Sequence, residues 1–205
     1  MQTSLKLYYS TQTRATRARW ALEELGVPYE LVRLDLGKKE QKQPEYLAIH
    51  PLGQVPALLD GDVPLIESVA ICMHLADRFP DGKLAPPLGS VERGVYYQWC
   101  LFSTATIEAN LIQYLTHTRR LPEEQRNAQL AAEAKANLDA ALKVLSGELD
   151  EQQYLLGQSF SMVDVIVGSA VIWGTAMGAI AGFANLDGYC ERLKQRPAFL
   201  KAYAD

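Results

Sequence analysis

Two short motifs in the first half of the chain combine residue types that suit the binding of a small peptide with an acidic end. The first, GQVPAL at residues 53–58, is a turn that enters a short apolar strand through a Val-Pro bond. Only X-Pro bonds adopt the cis form at modest cost, and a cis bond before Pro56 would leave the backbone of Val55 free to pair with an extended ligand, as a sheet edge does. The second, Glu67-Ser68, opens the next predicted helix, where N–H groups and a hydroxyl can hold a carboxylate. Either motif alone also fits a plain turn and a capping serine, and their joint spacing favours the binding site.

Alternation and turn residues predict the elements that carry these motifs. Leu5, Leu7 and Tyr9 alternate as in a strand, and the segment 57–66 has the pattern of a hairpin. A helix that ends at Gly26 follows the first strand. The predicted elements are strands at 5–9 and 28–34, helices at 14–25 and near 44–49, the hairpin, and a helix at 67–79. This order, β-α-β-α-β-β-α, is that of a thioredoxin-like domain.

The composition changes at residues 81–89, a stretch with two Gly, two Pro and no periodicity. Nearly every later segment reads as helix. Ser161 and Asp164 fit a capping box at the start of a helix that is apolar almost all round and is therefore expected to be buried. The sequence predicts an α/β plus all-α protein, with a thioredoxin-like domain at residues 1–80, a linker at 81–89 and an all-helical domain at 90–205.

Composition excludes several classes of partner and cofactor. The 205 residues carry a net charge of -4 and a pI of about 5.5, so neither nucleic acid nor a membrane is an expected partner. Cys72, Cys100 and Cys190 lie far apart without a Cys-x-x-Cys pair, which argues against a disulfide scaffold, a metal site or a dithiol redox motif. We find neither a signal-peptide pattern nor an apolar run of about 18 residues, and we expect a cytoplasmic protein.

Several segments taken together resemble the glutathione S-transferase family. The resemblance is carried by IHPLGQVPAL at 49–58, Glu67-Ser68, YLLG at 154–157 followed by the capping box, and RPAF at 196–199. These segments occur in the order typical of the family, and the chain resembles its bacterial, serine- or threonine-type and plant-type classes. The resemblance implies that the first domain binds glutathione, that the helical domain shapes an electrophile pocket, and that the protein is a homodimer.

The resemblance also assigns roles to the opening motifs. Val55, which precedes the predicted cis-Pro56, would pair with the backbone of the cysteinyl unit of glutathione. Glu67 would hold the ammonium of the γ-glutamyl end, and Ser68 its carboxylate.

A third group of contacts is implied for the glycyl carboxylate. The plant-type and related bacterial classes have a basic pair about a dozen residues before the Val-Pro bond, and Gln41 and Lys42 occupy those positions here. Together with Gln54 they would meet the carboxylate. Gln41 replaces a common His, and Lys42 can equally be a solvated lysine in a polar loop.

Conjugation requires a group that favours the glutathione thiolate, because the thiolate is the nucleophile and a free thiol has a pKa of about 8.5. Thr13 ranks first, at the position of the catalytic hydroxyl in the serine-type classes. Tyr8 ranks second, at the position of the phenol in the tyrosine-type classes, and Ser10 ranks third. Thr13 can equally be a helix cap without catalytic duty, and Tyr8 an ordinary strand aromatic. Residues 1–71 contain no Cys, so catalysis through a protein thiol is not expected.

Large apolar side chains of the helical half are candidates for the electrophile pocket, with Tyr114, Trp173 and Met177 foremost, although such residues at helical spacing are also typical of a core. The leading hypothesis is a detoxifying transferase that conjugates glutathione to small hydrophobic electrophiles, with a peroxidase side activity. The alternative is a non-catalytic module of the same fold that binds glutathione or another ligand in regulation or transport. Thiolate absorbance on addition of glutathione would separate the two.

Overall fold

The computed structural model of the chain describes residues 4–204, which form two compact units. The first unit holds the residues up to Ala85 together with those from Lys194 onward, and the second runs from Pro86 to Leu193. The chain therefore returns to the first unit after it has completed the second. The domain boundaries expected around residues 81–89 stay predictions.

A four-stranded sheet in the order β2-β1-β3-β4 organises the first unit. Its strands are β1 (Leu5–Tyr9), β2 (Tyr29–Arg33), β3 (Ala57–Asp60) and β4 (Val63–Ile66). β1 and β2 are parallel and are joined through helix α1 (Ala15–Leu25), whereas β3 runs antiparallel to both β1 and β4. With α2 (Pro44–Leu47) and α3 (Ser68–Arg78), the order is the predicted β-α-β-α-β-β-α, and the thioredoxin-like fold is confirmed.

Local sequence signals explain where these elements run and stop. Leu5, Leu7 and Tyr9 of β1 are buried while the residues between them are partly exposed, as the alternation of a strand requires. α1 ends at Gly26, whose φ of 64° lies in the left-handed region and whose N–H bonds back to carbonyls of the last turn. Gly61, with a φ of 62°, makes the turn between β3 and β4.

The chain returns to the first unit through the end of α8 (Ala184–Lys194) and through α9 (Pro197–Ala202), which packs on α1. The ring of Phe199 meets that of Trp20 edge-on, with centroids 5.0 Å apart. Arg196 donates from Nε and Nη2 to the two carboxylate oxygens of Glu24, at 2.6 and 2.8 Å. Tyr203 stacks on Phe199 with ring centroids 4.0 Å apart. The contact therefore joins aromatic packing to a bidentate ion pair.

Helices dominate the described part of the second unit. They are α4 (Val91–Phe102), α5 (Ala109–Leu115), α6 (Ala128–Glu148), α7 (Met162–Ala176) and most of α8. π-helical turns at Ser103–Glu108 and Thr116–Arg120 flank α5, and the first of them separates it from α4. No helix within residues 4–204 has both the length and the apolar character needed to cross a membrane.

The start of α7 is held by Asp164, whose side chain is fully buried. Its Oδ2 accepts the backbone N–H of Ser161 at 2.8 Å and the Ser161 hydroxyl at 3.0 Å, and the predicted capping box is present. Oδ1 accepts the N–H of Leu155 and the hydroxyl of Tyr189, both at 2.9 Å. Burial raises the pKa of Asp164, and these donors act against that shift. The carboxylate thus accepts hydrogen bonds from buried donors at the start of α7 that have no access to water.

Candidate functional site

Three chain segments meet at one end of the sheet in the first unit. The register pairs Tyr8 of β1 with Ala57 of β3, and Ala57 with Ile66 of β4. Because antiparallel neighbours begin where the adjacent strand ends, the loop after β1, the residues before β3 and the residues after β4 share this edge. The sheet therefore gathers both opening motifs and the loop that carries Thr13.

The Val55–Pro56 peptide bond is cis, as the sequence predicts. Val55 is half-buried, and within residues 4–204 its backbone N–H and C=O take part in no hydrogen bond. The preceding carbonyl, of Gln54, accepts the hydroxyl of Tyr46 at 2.5 Å. Burial raises the pKa of Tyr46, so its phenol stays protonated and keeps donating. The backbone of Val55 is thus available to a ligand, on a turn that is fixed at the preceding residue, Gln54.

The start of α3 combines an exposed carboxylate with a buried hydroxyl. Glu67, at the N-cap, has a φ of 70°, a conformation that costs a non-glycine residue of order 1–3 kcal/mol, and its side chain makes no capping bond. Ser68 is buried at the first helical position, and its hydroxyl oxygen accepts Nη1 of Arg17 at 3.1 Å. Arg17 lies on α1 and is 3% exposed. Backbone N–H groups of the first turn, a hydroxyl and a buried cation therefore converge where an anion is favoured.

Gln41 and Lys42 belong to the 3₁₀ turn Glu40–Lys42, which packs against Gly53. A Cβ on Gly53 would overlap the carbonyl oxygen of Gln41, and the φ of 56° independently favours glycine. The Lys42 ammonium donates to the carbonyl of Leu52 at 2.8 Å. Oε1 of Gln41 is buried and has no hydrogen-bond partner among the described residues. Both side chains thus adjoin the Val-Pro turn, and their contact with a glycyl carboxylate stays a prediction.

His50 belongs to the turn that leads into the Val55–Pro56 bond. It is 4% exposed, its carbonyl accepts the N–H of Gly53 at 2.7 Å, and its ring stacks on Tyr46 with centroids 6.3 Å apart. Its Nδ1 is buried without a hydrogen-bond partner in the described chain. Burial lowers the pKa of His50, the Glu67 carboxylate opposes this shift, and the Lys42 ammonium adds to it. The neutral ring therefore lies within electrostatic reach of two residues that the resemblance assigns to glutathione.

The three candidates for thiol activation differ in how their hydroxyls are used. Thr13 donates to the carbonyl of Ser10 at 2.7 Å and accepts the N–H of Ala15 at 3.2 Å, so it holds the first residue of α1. Tyr8 is half-exposed, its ring lies 5.3 Å from that of Tyr46, and its hydroxyl makes no hydrogen bond within residues 4–204. Ser10 is buried. Their ranking as thiol-activating groups stays a prediction.

The residues predicted to line the electrophile pocket lie in the second unit. Tyr114 on α5, Trp173 on α7 and Met177 at the end of α7 are all half-exposed. The guanidinium of Arg120 lies 5.7 Å from the centre of the Trp173 ring. α5 and α7 are packed together, because a Cβ on Gly174 would be 3.1 Å from an α5 side chain. The described residues hold no group of three His, Cys, Asp or Glu side chains arranged to bind a metal.

Two family models match most of the chain. "Glutathione S-transferase, N-terminal domain" matches residues 3–77, and "Glutathione S-transferase, C-terminal domain" matches residues 107–197. The chain belongs to the glutathione S-transferase family. The predicted family, fold class and enzyme class, a glutathione transferase, are thereby confirmed.

Individual relatives span nearly the same length as this transferase. Glutathione S-transferase GstA of Escherichia coli O157:H7 is 28% identical over 94% of both chains. Glutathione S-transferase F10 of Arabidopsis thaliana is 32% identical over 78% of this chain and 76% of its own. The crystal structure of a glutathione transferase from Burkholderia graminis has a TM-score of 0.87 at 26% identity, covering 99% of this chain and 88% of that one, and has two glutathione molecules bound per subunit.

Three residues that build the site of this transferase were not placed there from the sequence: Arg17 was expected only to add positive charge near the start of α1, and Tyr46 and His50 had no assigned role. Arg17 lies four residues before the buried Ala21, so a charge on the inner side of α1 was a usable signal. Tyr46 and His50 are also four residues apart, and the N–H of His50 donates to the carbonyl of Tyr46 at 2.9 Å as in a helical turn, so the two share a side. A polar residue on a buried helix face needs a partner, and that requirement points to each of the three.

Proposed function

We propose that this transferase conjugates glutathione to small hydrophobic electrophiles, with a role in detoxification. One observation carries the proposal. The backbone of Val55, which makes no hydrogen bond in the described chain, shares one edge of the sheet with the carboxylate of Glu67 and the hydroxyl of Ser68. The hydroxyl oxygen of Ser68 accepts a hydrogen bond from Arg17. These groups match a peptide backbone, an ammonium and a carboxylate in turn.

Glutathione lies across this edge in an extended form. Val55 pairs with the cysteinyl unit, beside Pro56, while the γ-glutamyl end reaches the start of α3. Arg17 donates to the oxygen of Ser68, which leaves the hydroxyl proton of Ser68 for the ligand carboxylate. Lys42 and Gln41, which adjoin the Val-Pro turn at Gly53, bind the glycyl end together with Gln54, the two glutamines through their side-chain NH2 donors. The ammonium of Lys42 supplies the charge there.

The reaction needs the thiol in its ionised form. A hydroxyl from Thr13 or Tyr8, together with N–H groups at the start of α1, stabilises the thiolate, and the thiol proton passes to solvent. The sulfur then forms a bond to the electrophilic carbon, and the leaving group departs with its electron pair. In the peroxidase side reaction, two glutathione molecules reduce a hydroperoxide to alcohol and water and are oxidised to the disulfide.

The electrophile is bound by the half-exposed side chains of Tyr114, Trp173 and Met177 in the second unit. They offer aromatic and thioether surface, which holds an apolar body without a fixed hydrogen-bond pattern. Trp173→Ala should therefore raise the KM for 1-chloro-2,4-dinitrobenzene and leave the KM for glutathione unchanged. An increase confined to the glutathione KM would contradict this assignment.

One experiment tests the proposed function as a whole. Glutathione is titrated into the protein while the ultraviolet absorbance of the thiolate is followed, and conjugate formation with 1-chloro-2,4-dinitrobenzene is measured on the same sample. We expect thiolate formation, saturable turnover, and weaker binding in Ser68→Ala. Binding without thiolate and without conjugate would show a non-catalytic module instead.

A specific observation favours that second candidate, a module that binds glutathione without turning it over. The hydroxyl proton of Thr13 is engaged by the carbonyl of Ser10, so it must leave that bond before it can reach a thiolate. If neither this hydroxyl nor that of Tyr8 acts, the thiol keeps its ordinary pKa and the chain serves in regulation or transport.

A second copy of the chain is the proposed partner. α4 exposes apolar side chains, led by Val91 at 83% and Leu101 at 61%, and we assign these side chains to the surface that meets the second copy. Leu101→Glu should convert a dimer to the 22.8 kDa monomer in sedimentation equilibrium, whereas Val144→Glu, at an exposed valine of α6, should not. A wild-type monomer at micromolar concentration would contradict the proposal. The three cysteines are buried and form no disulfide with one another, which suits the reducing cytoplasm, the proposed location.

A further inference from the structure

Two exposed arginines stand beside the residues proposed to bind the electrophile. Arg119 and Arg120 end the π-helical segment Thr116–Arg120. The guanidinium of Arg120 lies 5.7 Å from the centre of the Trp173 ring. Nη2 of Arg119 would lie 3.4 Å from a Cβ on Gly178, the residue after Met177. Both cations therefore adjoin the C-terminal end of α7.

Neither arginine is neutralised by a carboxylate in the described chain. No ion pair joins Arg119 or Arg120 to an acidic side chain, and Glu123 and Glu124, which follow closely in sequence, are exposed and form none. Arg126 is engaged by main chain, since its guanidinium donates to the carbonyls of Leu121 and Arg119. In a chain with a net charge of -4, two adjacent cations next to a half-exposed indole form a local positive site.

We propose that Arg119 and Arg120 select electrophiles that carry an anionic group, such as a carboxylate or a sulfonate, on an apolar body. The inference rests on the proposed function, because it takes Trp173 and Met177 as the surface that binds the electrophile. A guanidinium binds a carboxylate through two parallel N–H donors, while the indole covers the apolar body. Cation–π attraction to Trp173 keeps the guanidinium of Arg120 near the ring before the ligand arrives.

A matched pair of substrates isolates the charge. We choose 4-chloro-3,5-dinitrobenzoate and its methyl ester, which share the ring, the nitro groups and the leaving group, and we divide each kcat/KM by the uncatalysed rate. Arg120→Gln should lower the acid-to-ester ratio about 3- to 10-fold, as expected for the loss of one partly exposed charge-assisted contact. Arg119→Gln should act in the same direction. Arg120→Lys should lower the acid-to-ester ratio less than Arg120→Gln does, because lysine retains the charge but lacks the two parallel N–H donors of the guanidinium.

The control and the rate with the ester separate the outcomes. Arg33→Gln, which removes an exposed arginine from β2, should leave the ratio unchanged. An equal loss for acid and ester in Arg120→Gln would reveal a structural role and overturn the proposal, as would an unchanged ratio in both arginine variants. If the wild type conjugates neither compound, anion selection is refuted, and if it also fails to conjugate 1-chloro-2,4-dinitrobenzene, the proposed function fails with it. A third outcome is that the ester is conjugated, that Trp173→Ala slows its conjugation, and that the arginine variants leave the acid-to-ester ratio unchanged. That outcome would support the proposed function and refute the selection of anionic electrophiles.

Discussion

Nη1 of Arg17 on α1 donates to the hydroxyl oxygen of Ser68 on α3 across 3.1 Å, and both side chains are buried. The bond joins two helices that pack on each other and leaves the serine proton to point toward a ligand. Because the hydroxyl already points toward the ligand, it loses little rotational freedom when a carboxylate binds, and the entropic cost of binding is smaller.

Arg17→Lys should weaken glutathione binding about 10-fold, because a charged donor at fixed distance and direction is lost and such bonds are worth roughly 1.5–3 kcal/mol. Calorimetric titration measures the Kd. The control, Arg33→Lys on the exposed side of β2, should bind as the wild type does. An unaltered Kd in Arg17→Lys would mean that Ser68 needs no orientation from α1.

Thr13→Val should lower kcat about 10–100-fold and raise the apparent pKa of bound glutathione, the effect of removing one charge-assisted hydrogen bond. It should also reduce the free energy of unfolding by about 0.5–2 kcal/mol, because the contacts with Ser10 and Ala15 are lost. Thr13→Ser, which keeps the hydroxyl, is the control. If only Tyr8→Phe changes the rate and the thiol pKa, the phenol is the activating group.

Gly53→Ala and Gly61→Ala separate backbone strain from a steric clash. Both glycines have φ near 60°, so each variant should lose roughly 1–2 kcal/mol of stability from the left-handed conformation. Only at Gly53 does the new Cβ meet Gln41 and Lys42; nothing lies within 4 Å at Gly61. Gly53→Ala should therefore also weaken glutathione binding, measured by calorimetry. Equal affinities for glutathione in the two variants would show that Gln41 and Lys42 do not contribute to binding.

Asp164→Ala should destabilise the protein by roughly 3 to 5 kcal/mol, more than a single cap, because it leaves donors from Leu155, Ser161 and Tyr189 buried without an acceptor. Chemical denaturation gives the free energy of unfolding. Tyr189→Phe, which deletes one donor and strands none, should cost far less. A loss as small as that of Tyr189→Phe would show that water replaces the carboxylate.

His50 should make stability fall in mildly acidic solution. Its folded-state pKa lies below the ordinary value of about 6.5, so its contribution is complete above that pH and is lost as pH falls through the lowered folded-state pKa. In His50→Gln, the free energy of unfolding should decrease less than in the wild type as the pH is lowered, as measured by denaturation at a series of pH values. His117→Gln in the second unit controls for the loss of a histidine elsewhere. Parallel curves for the wild type and His50→Gln would refute the prediction.

Local patterns were readable from the sequence, and contacts between distant segments were not. The hairpin, the cis bond before Pro56 and the box at Asp164 depend on a few neighbouring residues, and all three are present. The burial of Arg17 depends on α3, which approaches it from 51 residues away. The π-helical turns were not foreseen, because a search for periodicity assumes the 3.6 residues per turn of an α-helix. The binding roles of Val55, Glu67 and their neighbours stay predictions.

The return of α9 to α1 has a consequence for synthesis. Trp20 and Glu24 emerge from the ribosome early, whereas Phe199 and Arg196, which cover and neutralise them, emerge only after the whole second unit. The side of α1 that packs on α9 therefore lacks its cover while most of the chain is being translated. During that interval the nascent chain lacks the ring that packs on Trp20 and the guanidinium that neutralises Glu24, and translation that stops before Arg196 leaves the first unit without both.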